Sequence, residues 1–196
     1  MGRVIWVYSR KYLLLVSNNL SKYEVMVGFI YLIIGNIFSA LSVIFLAISV
    51  RSKTKTGMMY WQSADASMAL LSYVFLGGLS GVLTNGIAIV RNLLIAKKKN
   101  TLAISVFLIV ITLVFGIING LLVERSWISL FPIIASSGYA ATLLLSDDYK
   151  VAKTALSAHF ILWAFYGLSK QNFVSALLMI VLALNAIHSI FMKRDT

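Results

Sequence analysis

The 196-residue sequence has no cysteine, a single proline, two histidines and only six acidic residues. Without cysteine there is no disulfide framework, no thiolate metal site and no cysteine nucleophile. Two isolated histidines cannot fill a metal site. No HExxH motif, glycine-rich phosphate loop or pair of intramembrane carboxylates occurs either, so no metal or other cofactor is expected and enzymatic activity is not. Charged residues make up 12% of the chain, about half the ~25% of a soluble domain, which excludes an ordinary soluble fold. In their place stands a composition that is 60% hydrophobic.

The apolar residues fall into seven runs, at about 25–50, 57–77, 81–97, 101–123, 127–145, 152–168 and 172–192. Each is near the ~20 residues that a membrane-crossing helix needs. An all-α membrane protein of seven transmembrane helices follows, with the lipid bilayer as its first partner. Local signals support several ends: Ser21 and Glu24 form a capping box, Thr101 and Asn172 can cap the fourth and seventh spans, and Gly77-Gly78 and Gly167 stop the second and sixth. The first 24 residues do not read as a signal peptide, because Arg10 and Lys11 interrupt their apolar part and no small-residue cleavage site follows. They read as an interfacial segment.

A net charge of +11 would suggest nucleic acid in a soluble protein. Here the basic residues sit in the breaks between runs, the pattern that orients membrane proteins, and no nucleic-acid partner is expected. Arg51, Lys53 and Lys55, then Lys97, Lys98 and Lys99, then Lys150 and Lys153, then Lys193 and Arg194 all fall on one side, with Arg125 and Lys170 singly on the other. This places the C-terminus in the cytoplasm, although Arg3, Arg10, Lys11 and Lys22 weigh the other way. The segments "YVFLGGLSGVLTNGIAIV" from Tyr73 and "WAFYGLSKQNFVSALLMI" from Trp163 lie 90 positions apart and share an aromatic residue, a glycine four later, a short turn and an apolar helix. They divide the chain into an N-terminal segment (1–24), a three-helix bundle (25–99), a linker helix (100–124) and a second three-helix bundle with the C-terminal tail (125–196). An odd number of helices per unit with one linker makes the units parallel.

Ionisable groups inside spans are costly and therefore candidates for function. Asp65 is the one acid within a span. A hairpin turning near Leu79 brings it to the depth of Arg91, so the two either form a buried pair beside a solute cavity, or Arg91 snorkels while Asp65 faces water. Asn85 and Asn36 serve either as interhelical glue or, for Asn85, as a solute contact. His159 sits near the middle of the sixth span, where it is either packed or proton-coupling, and Trp163 either stacks on a ring-bearing solute or belongs to an aromatic belt. Asp65, Asn85, Arg91, His159 and Trp163 are thus the candidate substrate-binding residues. Pro132 is expected to kink the fifth span, with Gly35 and Asn36 as the matching weak point of the first, giving one hinge per unit.

The stretches "WQSADASMALLSYVFLGGLSGVLTNGIAIVRNLL", "LFPIIASSGYAATLLLSDDYKVAK" and "ILWAFYGLSKQNFVSALLMIVLALNAI" resemble the YgjV-type bacterial inner-membrane proteins over nearly the whole chain after about residue 25. That resemblance implies a bacterial plasma-membrane location. It also implies a three-one-three helix fold similar to SWEET-type sugar facilitators and Pnu-type vitamin-precursor transporters, with a central solute pathway and a proline hinge at Pro132. Of the paired asparagines that SWEET proteins carry, Asn85 is present and Ser175 stands at the second position. The expected function is transport of a small polar solute, sugar-, nucleoside- or vitamin-like, by alternating access. The alternative is a non-transporting accessory or scaffold protein whose polar residues serve helix packing. The oligomer is open, a homodimer included.

Overall fold

The computed structural model describes residues 22–52, 54–99, 101–146 and 148–192. Most of the N-terminal segment, with Ser21 of the expected capping box, lies outside these residues, as do Lys53, Lys193 and Arg194. The described chain is all-helical. Its seven helices are α1 (Lys22–Arg51), α2 (Lys55–Leu76), α3 (Leu79–Ala96), α4 (Leu102–Ile118), α5 (Phe131–Leu145), α6 (Tyr149–Ser169) and α7 (Phe173–Met192). A π-helical turn (Asn119–Val123) extends α4 and a 3-10 turn (Trp127–Leu130) leads into α5.

Local chemistry sets the ends. Thr101 accepts a hydrogen bond from Ile104 N at 3.3 Å, and Asn172 Oδ1 accepts from Ser175 N at 3.2 Å, both as their positions in sequence require. Thr54 and Asp148 cap α2 and α6 in the same way. Gly77 ends α2 in the left-handed region, φ 69°, where a residue without Cβ carries no penalty. Gly167 does not stop the sixth helix, which runs on to Ser169. Its bare Cα instead lets the following chain fold back, with Asn172 N donating to Gly167 O at 2.8 Å. Pro132 does not kink a helix interior either. It occupies the first turn of α5, where its missing N–H has no carbonyl to lose.

Packing follows the chain: α2 lies between α1 and α3, α6 lies between α5 and α7, and α4 touches α3 and α5. The two sets meet where α1 packs on α7 and α3 on α5. Small and hydroxyl-bearing residues fill the interior, among them Ala66, Ala135, Ala176, Ser39, Ser72 and Ser80, while Phe29, Phe107, Phe115 and Leu177 point outward. In water such a distribution would aggregate; in lipid, association relies on close backbone approach and hydrogen bonds. Many serine and threonine hydroxyls bond to the carbonyl a turn back, as in Ser63 to Met59 O at 2.9 Å and Thr112 to Leu108 O at 2.7 Å, which satisfies these donors inside the bundle.

Glu24–Ser49, Leu79–Ala96 and Leu102–Val123 are long and apolar enough to cross a membrane, and Phe173–His188 is a shorter apolar helix. The central helices α2 and α6 carry the polar burden, Asp65 and His159 included, because their neighbours screen them from the surroundings.

Close approach between helices is tight at Gly81 of α3, where an added Cβ would lie 2.6 Å from the Tyr73 ring and 3.0 Å from that of Tyr166. Both rings are buried and cannot yield. Gly81→Ala is therefore expected to destabilise the protein by roughly 1–3 kcal/mol in a thermal melt in detergent. Gly138→Ala, on α5 with nothing within 4 Å, should leave the melting temperature unchanged or raise it. Equal effects at the two positions would refute the packing.

Candidate functional site

One end of the bundle is tied together by polar contacts between the first three helices and the last three. Glu124, just past the π-helical turn, is the centre of them. Its Oε1 accepts from Ser80 N at 2.5 Å and from Asn119 Nδ2 at 3.4 Å; its Oε2 accepts from the Ser129 hydroxyl and lies 2.8 Å from Lys170 Nζ. The Ser80 N–H is one of the free donors at the start of α3, so the carboxylate also meets the positive end of that helix. Lys170 extends over the Tyr166 ring, 5.7 Å from its centroid, and reaches Gly77 O at 3.4 Å. Across the bundle, Asn36 of α1 donates to Gln171 O at 3.0 Å and accepts from Val174 N at 3.4 Å. Asn172 Nδ2 donates to Ser72 Oγ at 3.1 Å, and Gly81 N donates to Tyr166 Oη at 2.9 Å.

Beneath this rim runs a column of rings. Tyr73 of α2 lies 5.2 Å from Tyr166 and 5.8 Å from Trp163 of α6; Trp163 lies 6.3 Å from His159, which lies 5.4 Å from Tyr139 of α5. The α6 residues are spaced by three and four, which puts them on one face. At ~1.5 Å rise per residue, Trp163 and His159 lie about 9 and 15 Å from the end of α6, and Arg91 about 18 Å from the start of α3. Arg91 of α3, the helix that packs on α5, therefore stands near the depth of His159. Trp163 Nε1 and His159 Nδ1 are buried without a hydrogen-bond partner, while the Tyr73 hydroxyl has Ser175 and Asn172 beside it.

Of the residues singled out in the sequence, His159, Trp163 and Arg91 share this seam. Asp65 does not join them. It accepts from Ser42 Oγ at 2.5 Å, facing α1, while the Arg91 guanidinium contacts Asn92 Oδ1 at 3.4 Å; no ion pair links Asp65 with Arg91. The matching depth is real, but the two side chains leave their helices in different directions. Asn85 donates to Gly81 O in its own helix at 2.8 Å. Gly35 lies within an unbroken α1, where an added Cβ would meet Leu76 at 2.6 Å.

Glu124 and Lys170 are the residues that sequence reasoning passed over, one as a loop acid and the other as an orientation marker. The signal available was a lone acid and a lone lysine in two breaks assigned to the same side. Burial works against ionisation of Glu124, but the Lys170 ammonium and the hydrogen bonds from Lys170, Ser129 and Ser80 outweigh it and hold its carboxyl below the usual range. The folded value lies below the unfolded one. The stabilisation is thus complete above the ordinary value of 4.5 and is lost as pH falls through the folded value. Glu124→Gln should cost about 1–3 kcal/mol at neutral pH. The gap between wild type and variant in acid melts should close as pH falls below 4.5 and through the lower folded value; a gap independent of pH would refute the charged hub.

No curated protein and no solved structure matches the chain. The family model Imp-YgjV, bacterial inner membrane protein, matches residues 33–195, which includes α2 through α7, the Glu124 hub and the whole ring column. The chain belongs to this family of bacterial inner membrane proteins.

Proposed function

We propose that the protein carries a small polar solute across the bacterial inner membrane along the seam between α1–α3 and α5–α7, with α4 as the linker. The observation that carries this reading is the pair of unpartnered polar atoms, Trp163 Nε1 and His159 Nδ1, four residues apart on α6 inside the seam. Buried polar groups in a protein that only packs are satisfied, whereas a solute path leaves donors and acceptors to be met by its cargo. The repeat supports the same view. Tyr73 and Trp163 are equivalent residues of the two units and touch each other, as residues near a two-fold axis do. The α1–α7 and α3–α5 contacts are likewise equivalent under the exchange of units. This is the arrangement of parallel-repeat carriers, which rock one unit against the other.

In this reading the Glu124 hub and the Asn36 contacts close the turn-side end, and the junction of the 3-10 turn with Pro132 is where α5 pivots. In the same reading the opposite end and the C-terminus face the cytoplasm, which the basic breaks support. No catalytic step is involved. An accessory protein held together by the same polar ties is the competing account.

The cysteine-free chain permits a direct test. Asn85→Cys and Ser175→Cys, placed singly, should be labelled by a membrane-impermeant maleimide from one face of the membrane. Adding Glu124→Gln should speed labelling from the turn side severalfold, because it weakens the closure. In vesicles, uptake should appear for a member of a panel of sugars, nucleosides and vitamin precursors. Unlabelled cysteines together with no flux for any compound would leave the accessory account standing.

A further inference from the structure

The break between α3 and α4 is short and strongly basic. Leu79–Ala96 and Leu102–Val123 are both long and apolar enough to cross a membrane, so only residues 97–101 separate two crossings, and they include Lys97, Lys98 and Lys99. All three lysines are exposed. Held on both sides by spanning segments, their backbone cannot leave the level of the lipid headgroups. The α1–α2 and α5–α6 breaks open at the same end of the bundle, because two helices separate each break from the next, and the exposed Lys150 adds to the charge there.

The backbone singles out the middle lysine. Lys98 N donates to Ile95 O at 3.0 Å and Lys99 N to Leu94 O at 2.9 Å, the paired bonds of a helix end that closes on a left-handed residue. Lys98 is that residue, with φ 55°. At the end of α2 the same conformation falls to Gly77, φ 69°, which has no Cβ to strain. A cation near a helix C-terminus is favoured by the macrodipole, but Lys97 and Lys99 already supply that charge without a strained backbone.

We infer that Lys97, Lys98 and Lys99 form a docking site for the phosphate of an anionic phospholipid headgroup in the leaflet at that end of the bundle. Each ammonium beside an anionic membrane surface adds to the attraction, and a phosphate oxygen accepts from any of them. A lipid phosphate is kept at the height of the trio by its own acyl chains. A free anion would have to be captured from water by exposed, screened charges, which hold it weakly. The docking does not depend on solute transport and stands whether or not the seam carries a solute.

The probes are phosphatidylglycerol, phosphatidylcholine and inorganic phosphate, added to the purified full chain in neutral detergent and compared by thermal melts. Phosphatidylglycerol should raise the melting temperature saturably, by about 3 °C or more, while phosphatidylcholine and inorganic phosphate should not. Replacing all three lysines with glutamine should weaken the phosphatidylglycerol response roughly a hundredfold, about fivefold for each lysine removed. Should that variant fail to fold, Lys98→Gly carries the test. Without lipid it should melt no lower than wild type, because it relieves the left-handed strain, and yet need about fivefold more phosphatidylglycerol for the same shift. Arg125→Gln, at an exposed cation of the opposite end, should leave the response unchanged. Equal responses of wild type and the lysine variants, or an equal shift with phosphatidylcholine, would overturn the inference. So would a fall with Arg125→Gln as large as with Lys98→Gly, which would mean diffuse attraction to the whole chain, or a lysine-dependent shift with inorganic phosphate, which would make the break a site for a free anion.

Discussion

Four donors from four separate places in the chain converge on one carboxylate. Glu124 takes the Ser80 amide at the start of α3, the Asn119 amide at the end of α4, the Ser129 hydroxyl before α5 and the Lys170 ammonium after α6. Its side chain is only 6% exposed. A charge so enclosed persists because its oxygens are met on all sides, and removing any one donor leaves part of it unsatisfied. The relative positions of α3, α4, α5 and α6 at that end therefore depend on this group. The π-helical turn has a physical reason in the same place: by widening the end of α4 it brings Asn119 within 2.8 Å of Ser80 Oγ and Glu124 within reach of Ser80 N.

The rest of the molecule follows from solvent inversion. Lipid gains nothing from covering leucine with leucine, so the inner surfaces are alanine, glycine and serine, which let helices approach, and the bulky chains face outward. The large side chains admitted to the interior, Tyr73 and Tyr166 foremost, are housed by glycines: Gly78 and Gly81 lie against both rings. Polar ties at the rim and an incompletely satisfied column below it form a contrast within one seam.

Much of the fold was legible in the chain. Seven apolar runs became seven helices among the described residues, five of them within a turn of their expected bounds and α4 and α5 so once the π-helical and 3-10 turns are counted, and Thr101, Asn172 and Gly77 ended helices as their chemistry requires. These features rest on local hydrogen bonds that close within four residues. His159 and Trp163 were also legible as a pair, since four residues on one helix share a face. The errors have one origin. Asp65 and Arg91 were matched by depth, which a count of residues supplies, but their facing depends on the rotation of α2 and α3 about their axes, and that is set by Ser42 on α1 and by the seam with α5 and α6. Pro132 and Gly167 were read as interruptions, yet each is placed where the neighbouring chain makes use of it.

By itself, then, the sequence determined that this is a helical bacterial membrane protein, how many helices its described residues form, roughly where they lie, and which side chains are too polar to face lipid. Those properties are sums over neighbouring residues. Only the tertiary structure decided which polar groups meet. Glu124 and Lys170 are far apart in the chain and unremarked in composition, but they pair at one end of the bundle, while Arg91 contacts Asn92 and Asp65 contacts Ser42 instead of each other. The physical reason is that a helix fixes the height of a side chain through its rise and leaves the azimuth to packing.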